Sequence, residues 1–161
     1  MSRASSLFLM SCLTLSTVSA ASTESNAALA LKPKVLRQMM QATPTPKPAA
    51  STRTAQPGGE GAIPFPATIT FDATGCFAGY FSYERMAELR FECIKGAKAL
   101  DLRTISSITF EEAKGKLVVL ELVPSFAGDL CKACATVSAE LREQLKSRSF
   151  DAKIFRTDIA H

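Results

Sequence analysis

The feature that most constrains this chain is a pair of cysteines, Cys131 and Cys134, that lie between two patterned segments. Residues 117–123 are a continuous apolar run interrupted only by Glu121, which is typical of a strand covered on both faces. Residues 135–147 alternate apolar and charged side chains at helical spacing, which predicts an amphipathic helix. A C-x-x-C pair at a junction between strand and helix indicates thiol chemistry in an α/β fold.

The predicted helix gives the two cysteines different roles. Cys131 lies at its start, where unpaired backbone N–H groups and the helix dipole stabilise a thiolate, and in such motifs the pKa falls from about 8.5 to between roughly 3.5 and 7.5. We expect Cys131 to be the nucleophile and Cys134 to resolve the mixed disulfide by attacking Cys131. Glu121 is either a buried proton acceptor for Cys134 or a solvated residue near a sheet edge.

Further elements surround this junction. Residues 150–159 predict a second strand, so that strand, helix and strand form a parallel crossover. Before it, residues 99–105 alternate well enough to predict another strand. Ser107 is expected to cap a short helix over residues 108–114, which Gly115 ends.

An earlier segment predicts a hairpin followed by a helix. Residues 63–71 and 76–81 favour strands, and residues 72–75 form a turn between them. A helix over residues 83–94 is expected because helix-forming residues dominate there. Residues 88–93 also alternate polar and apolar side chains, which is the competing signal for a strand.

Together these segments resemble the thioredoxin family. Residues 99–160 are similar to its amino-terminal portion, which contains a central strand, the C-x-x-C pair, a long helix and a following strand. Residues 63–95 are similar to its carboxy-terminal hairpin and helix, and the cis-proline that faces the dithiol in that family aligns with Pro66. The resemblance implies a three-layer α/β fold around a central mixed sheet, with Pro66 shaping a peptide-docking groove.

The two halves of this fold stand in inverted sequence order. The hairpin–helix unit, residues 63–97, precedes the dithiol-bearing βαβ unit, residues 98–161, whereas family members have the dithiol half first. A circularly permuted domain over residues 63–161 explains the order, because chain ends of domains often lie close together. The alternatives are an incomplete fold, made of the end of one domain and the start of the next, and a homodimer that exchanges strands.

The amino-terminal region predicts export. Residues 1–20 contain one early charge, an apolar run and a small-x-small ending, which indicate a signal peptide cut near Ala20. A lipoprotein signal around Cys12 and an organelle transit peptide are the alternatives, and an uncleaved anchor helix is a third. Residues 21–62 are rich in Pro, Ala and Thr, which predicts a disordered linker with a short helix over residues 33–41. An extracytoplasmic location, in a periplasm or secretory pathway, is therefore expected.

The remaining cysteines suit an oxidising compartment. Cys76 and Cys93 are either joined in a disulfide or kept as two buried thiols. A zinc site built from them and the C-x-x-C pair lacks the paired knuckles of zinc ribbons, so we expect no metal and no cofactor. The only histidine, His161, is the last residue and is not predicted to be a ligand or a base.

These patterns give two functional hypotheses. The net charge of +4 is scattered without aromatic interleaving, which argues against nucleic-acid binding, and no membrane span is expected after the signal. The first hypothesis is an exported thiol-disulfide oxidoreductase that exchanges disulfides with cysteine-containing exported proteins. The second is a non-catalytic protein-binding module with a structural Cys131–Cys134 bridge. Leu130, in place of the usual aromatic residue, and the long loop over residues 124–129 favour the second hypothesis.

Overall fold

The computed structural model describes residues 25–44, 62–124 and 131–160, which form a mixed α/β fold. The strands are β1 (Ser25–Leu31), β2 (Ala67–Phe71), β3 (Phe77–Ser82), β4 (Leu117–Leu122) and β5 (Ala152–Ile159). The helices are α1 (Pro33–Ala42), α2 (Leu102–Ile105), α3 (Ser107–Glu112) and α4 (Lys132–Ser147), with 3₁₀ helices at Tyr83–Glu88 and Lys98–Leu100. None of these helices is long and apolar enough to cross a membrane. The predicted signal peptide and His161 lie outside the described residues.

The five strands form one mixed sheet in the order β1-β5-β4-β2-β3. β1 and β4 both pair with β5 in parallel, whereas β2 pairs with β3 and β4 in antiparallel fashion. The predicted crossover from β4 through α4 to a parallel β5 is confirmed. The hairpin joins the same sheet, because Ala67 at the start of β2 lies opposite Leu122 at the end of β4.

Both faces of the central sheet are covered, which explains the apolar run in β4. Val119 packs on the α4 face, and its neighbours Val118 and Leu120 belong to the opposite cluster. The predicted apolar stripe of α4 is confirmed, and it consists of Val137, Leu141 and Leu145. The opposite cluster includes Leu36, Met39, Ile69, Phe71, Leu102, Phe110 and Phe155.

The β2–β3 turn is fixed by local hydrogen bonds and by a glycine. Asp72 Oδ1 accepts hydrogen bonds from the backbone N–H groups of Thr74 (2.8 Å) and Cys76 (2.9 Å). Gly75 has φ +82°, and a Cβ atom there would lie 2.7 Å from the ring of Phe110. The predicted hairpin is therefore confirmed, and its turn requires glycine.

The helix predicted over residues 83–94 is wrong beyond its first part. The structure has a 3₁₀ helix over Tyr83–Glu88, and residues 89–94 form neither helix nor strand. Leu89 and Phe91 are both buried in the α4 cluster, which suits an extended chain because alternate side chains point the same way. The backbone N–H of Ile94 donates to Phe77 O at 2.8 Å, so this segment lies beside β3. The polar–apolar alternation of residues 88–93 therefore reflects an extended segment, although the segment is not a strand of the sheet.

The strand predicted over residues 99–105 is also wrong, because this segment forms a 3₁₀ turn followed by α2. Asp101 Oδ1 accepts a hydrogen bond from the backbone N–H of Phe77 at 3.1 Å, and Leu102 N–H donates to Gly75 O at 2.8 Å. These bonds fasten the segment to the hairpin turn and not to a strand of the sheet.

The short helix predicted after that segment is present as α3, with a shifted cap. Ser106, and not Ser107, is the N-cap residue, because its hydroxyl accepts a hydrogen bond from the backbone N–H of Thr109. Ser107 is the first residue of the helix itself. The one-residue shift reflects two adjacent serines, either of which satisfies the sequence rule for a cap.

The linker predicted over residues 21–62 is wrong for residues 25–44. β1 extends the sheet beside β5, and α1 closely matches the predicted short helix. Leu36 and Met39 of α1 are fully buried, and Thr43 joins α1 to the sheet because Tyr80 N–H donates to Thr43 Oγ1 at 2.8 Å. Small residues in β1 obscured this strand, since pairing with β5 rather than residue propensity supports it. Residues 45–61 lie outside the described residues.

Candidate functional site

The dithiol lies at the amino-terminal end of the longest described helix. Cys131 is the N-cap residue of α4, and Cys134 N–H donates to Cys131 O at 3.0 Å. The two sulfur atoms are joined in a disulfide. Cys131 is half-buried and Cys134 is only 7% exposed, so an incoming thiol reaches Cys131 more easily. This placement allows helix N–H groups to stabilise a thiolate at Cys131 once the bond is reduced.

Glu121 is buried on β4 beneath α4. Glu121 is 4% exposed. The other buried polar residues in the described part of the chain are all threonines, so Glu121 is the one acidic residue among them. Ser138 of α4 donates a hydrogen bond from its hydroxyl to Glu121 Oε1. Ser138 follows Cys134 by four residues, and residues at this spacing are neighbours on a helix surface. The carboxylate therefore lies about one helical turn from the second cysteine, and it is not the solvated edge residue of the alternative interpretation.

Polar groups on the neighbouring strands share this face of the sheet. Thr68 of β2 and Arg156 of β5 both lie opposite Glu121 in the sheet register. Thr68 is fully buried and donates from its hydroxyl to the sulfur of Met86 at 3.7 Å, whereas Arg156 is exposed. Arg142 of α4 donates to Ser138 O at 2.9 Å. Glu121 thus lies between the neutral Thr68 on β2 and the register position of Arg156 on β5, and Arg142 bonds to the residue of α4 that contacts it.

Pro66 lies at the same edge of the sheet as the end of β4. It directly precedes Ala67, whose partner is Leu122, and its carbonyl accepts a hydrogen bond from Tyr83 N–H at 3.2 Å. The Phe65–Pro66 bond is cis, as the resemblance implied. Two large exposed side chains flank this position, Phe65 (44%) and Tyr83 (42%). The proline, the carboxylate and the helix start are therefore gathered at one end of the sheet.

Tyr80 anchors the chain that leads into Pro66. Its hydroxyl donates to Pro64 O at 2.6 Å, and its ring is buried. Burial raises the pKa of Tyr80 well above its usual value, because the charged phenolate loses solvation. The hydroxyl consequently remains a donor throughout the ordinary pH range, and the approach to Pro66 stays fixed.

A second disulfide joins Cys76 to Cys93 at the opposite end of the sheet. Cys76 directly precedes β3, at the turn that follows β2. Phe71, the last residue of β2, pairs with Val118 near the start of β4, so this turn lies at the end of the sheet where β4 begins. A ligand atom of Asp72 lies within 4.8 Å of both sulfurs, but bonded sulfurs offer no thiolate for a metal ion. The two cysteine pairs lie at opposite ends, so they do not converge on the four-cysteine zinc site considered from the sequence.

The structure brings Cys131, Cys134, Glu121 and Pro66 to one end of the sheet and separates Cys76 and Cys93 from them. Sequence reasoning missed Ser138. Two signals point to it: an acid in a buried strand needs a hydrogen-bonding partner, and Ser138 shares a helix face with Cys134. Leu130 and residues 125–129 of the long loop lie outside the described residues.

Comparisons with known proteins give no relative for this chain. No family model, no curated protein and no solved structure matches it.

Proposed function

We propose that this protein is an exported thiol-disulfide oxidoreductase that exchanges disulfides with cysteine-containing exported proteins through Cys131 and Cys134. The observation that carries the proposal is the disulfide at the start of α4 together with the buried Glu121 carboxylate of β4, which accepts a hydrogen bond from Ser138, one turn after Cys134 on that helix. A static bridge needs no buried acid beneath it. A dithiol that must lose a proton from its buried cysteine does need an acceptor.

A thioredoxin-like fold with inverted halves is part of this proposal. Its support is the pairing of β2 with β4, since the hairpin that comes first in sequence completes the sheet around the dithiol strand. A single chain that pairs its own halves argues against an incomplete fold. One departure from the family is the 3₁₀ turn and irregular segment after β3, where the resemblance implied a final helix.

The proposed reaction is a two-electron exchange. The Cys131 thiolate attacks a disulfide in the partner protein, forms a mixed disulfide and releases one partner thiolate. Cys134 gives its proton to Glu121 and attacks the Cys131 sulfur, which releases the second partner thiolate. The partner disulfide is reduced and the protein's dithiol becomes the disulfide that the structure contains. The opposite direction runs through the same steps.

Two intramolecular disulfides support an extracytoplasmic site of action, because such bonds persist mainly in oxidising compartments. The exposed aromatic side chains of Phe65 and Tyr83 beside Pro66 would offer an apolar contact surface to an unfolded or extended partner.

The test is insulin reduction by dithiothreitol, followed as the precipitation of the insulin B chain. The wild-type protein is expected to accelerate precipitation, and Cys131→Ser is expected to abolish the acceleration. The matched control is the Cys76→Ser/Cys93→Ser double variant, which should retain turnover if it is assayed below its unfolding temperature. A folded wild-type protein without turnover would refute the proposal and favour the protein-binding module with a structural Cys131–Cys134 bridge.

A further inference from the structure

The contact between Ser138 and Glu121 links the dithiol helix to the central strand through polar groups. Glu121 is 4% exposed, and the Ser138 hydroxyl donates to its Oε1 atom. Ser138 itself is half-buried, between the fully buried Val137 and the exposed Ala139. A buried carboxylate is costly unless hydrogen bonds offset its lost solvation, so a donor on α4 fixes where this carboxylate lies.

We propose that Ser138 is a positioning residue, which holds the Glu121 carboxylate beneath α4 as the proton acceptor for Cys134. This inference rests on the proposed function. The four-residue spacing places Ser138 and Cys134 on one helix face, so a carboxylate bonded to the first lies near the second. The serine acts through Glu121 and does not contact the partner protein.

The proton transfer belongs to the resolving step. After Cys131 has formed a mixed disulfide, the Cys134 S–H bond breaks and its proton moves to the ionised Glu121 carboxylate. The Cys134 thiolate then forms a bond to the Cys131 sulfur, and the partner thiolate leaves with the electron pair of the broken S–S bond. Glu121 returns the proton to solvent before the next cycle.

The groups around Glu121 determine the direction of the pH effect. Arg156 lies opposite it on β5 and Arg142 of α4 bonds to the Ser138 carbonyl, whereas Thr68 on β2 and Met86 beyond it do not titrate. Both arginines are present in the wild-type protein and in Ser138→Ala, so the difference between the two pH profiles reports the contribution of Ser138. A hydroxyl that donates to the ionised carboxyl favours that form, and its removal makes Glu121 hold its proton to higher pH.

The experiment measures the resolving step with 5,5′-dithiobis(2-nitrobenzoate) and protein reduced only at Cys131 and Cys134. The first thionitrobenzoate is released at a rate that depends on probe concentration, as Cys131 attacks. The second is released at a concentration-independent rate, as Cys134 resolves the mixed disulfide. Ser138→Ala should move the pH of half-maximal second release upward by about one unit, the effect expected from one charge-assisted hydrogen bond. The first phase should not change.

Three variants complete the test. Ser138→Thr keeps a hydroxyl and should restore the wild-type profile, and Ser147→Ala, an exposed serine on the same helix, should not alter it. Glu121→Gln should slow the second phase about tenfold or more, because no acceptor remains. A Ser138→Ala profile that superimposes on that of the wild type overturns the inference but leaves the proposed function standing. If the rate of the second phase is unchanged in Glu121→Gln, the inference is likewise overturned and the proposed function still stands.

Absence of any thionitrobenzoate release by the reduced wild-type protein overturns both the proposed function and this inference. If Ser138→Ala does not fold, infrared titration of the wild-type protein replaces it, with the Glu121 band assigned from its loss in Glu121→Gln. The carboxyl should ionise at the pH where the second phase is half-maximal. A carboxyl that stays protonated throughout the active pH range overturns the inference.

Discussion

At the scale of single residues, two positions are expected to be the most sensitive to substitution, because each combines close packing with a backbone or electrostatic requirement. Glu121 is an acidic residue in the wholly buried part of β4, and its hydrogen bond with Ser138 compensates for lost water. Gly75 combines a positive φ with a close approach to Phe110, so both its backbone and the space beside it exclude other residues. Substitution at these residues is therefore expected to destabilise the fold for different physical reasons, and matched control variants can distinguish them.

Gly75→Ala is expected to destabilise the fold through strain and through overlap with Phe110. Gly115→Ala is the matched control, since Gly115 has a similar φ of +77° but nothing within 4 Å of the added Cβ. The control should lose about 1 kcal/mol of unfolding free energy from strain alone. Gly75→Ala should lose about 1–3 kcal/mol more from overpacking, measured by urea denaturation. Equal losses in the two variants would contradict the close contact with Phe110.

At the scale of elements, the end of α1 and an irregular segment after the 3₁₀ helix hold the sheet's outer strand in place. The edge strand β3 is covered by α1 through Thr43 and by the extended segment that ends at Cys93 and Ile94. Covering an edge strand satisfies its unpaired backbone groups and prevents pairing with other chains. Both contacts can be removed individually.

Thr43→Val tests whether α1 is part of the folded unit. The change keeps the side chain's shape but leaves the buried N–H of Tyr80 without its acceptor, which should cost about 1–3 kcal/mol of unfolding free energy. Thr104→Val is the control, because Thr104 is exposed and its hydroxyl bonds only to Lys98 O. It should change stability by less than about 0.5 kcal/mol. Equal stability of the two variants in urea would show that α1 does not dock on β3.

The Cys76–Cys93 bond is expected to stabilise the protein more than the Cys131–Cys134 bond. The bonded residues are 17 apart in the first pair and 3 apart in the second, so the first restricts the unfolded chain more. The double serine variants should lose about 3 and about 1.5 kcal/mol, respectively. Thermal and urea unfolding of both variants measures the difference. A larger loss for the Cys131→Ser/Cys134→Ser variant would reverse this order and argue for a structural role of that bond.

The elements that sequence patterns predicted well are those whose local signals agree with their tertiary surroundings. β4, α4, β5 and the hairpin have a single hydrophobic period each, and the structure contains all of them. The helix expected after Tyr83 and the strand expected before Ser106 had mixed or weak periods. Long-range contacts determine the conformation of these two segments: Leu89 packs under α4, and Asp101 accepts a hydrogen bond from Phe77 N–H. β1 was not predicted from a hydrophobic period because its pairing with β5 stabilises it.

At the scale of the whole molecule, the two disulfides lie at opposite ends of one sheet. The carboxyl end of β4 gathers Pro66, Glu121 and the start of α4, whereas the other end carries the hairpin turn with Cys76. The sequence predicted the dithiol, the acid and the proline individually. Their meeting depended on the antiparallel pairing of β2 with β4, which joins segments about fifty residues apart and which no local pattern encodes.

The most direct test of the central claim is a mixed-disulfide trap. Reduced Cys134→Ser protein is incubated with an unfolded, disulfide-containing protein, the adducts are separated without reductant, and the linked cysteine is mapped by mass spectrometry. We expect an adduct through Cys131 that dithiothreitol releases, and no adduct with Cys131→Ser, because only Cys131 is the accessible nucleophile. Adducts of equal yield from both variants, or none from Cys134→Ser, would contradict a redox-active dithiol at the start of α4.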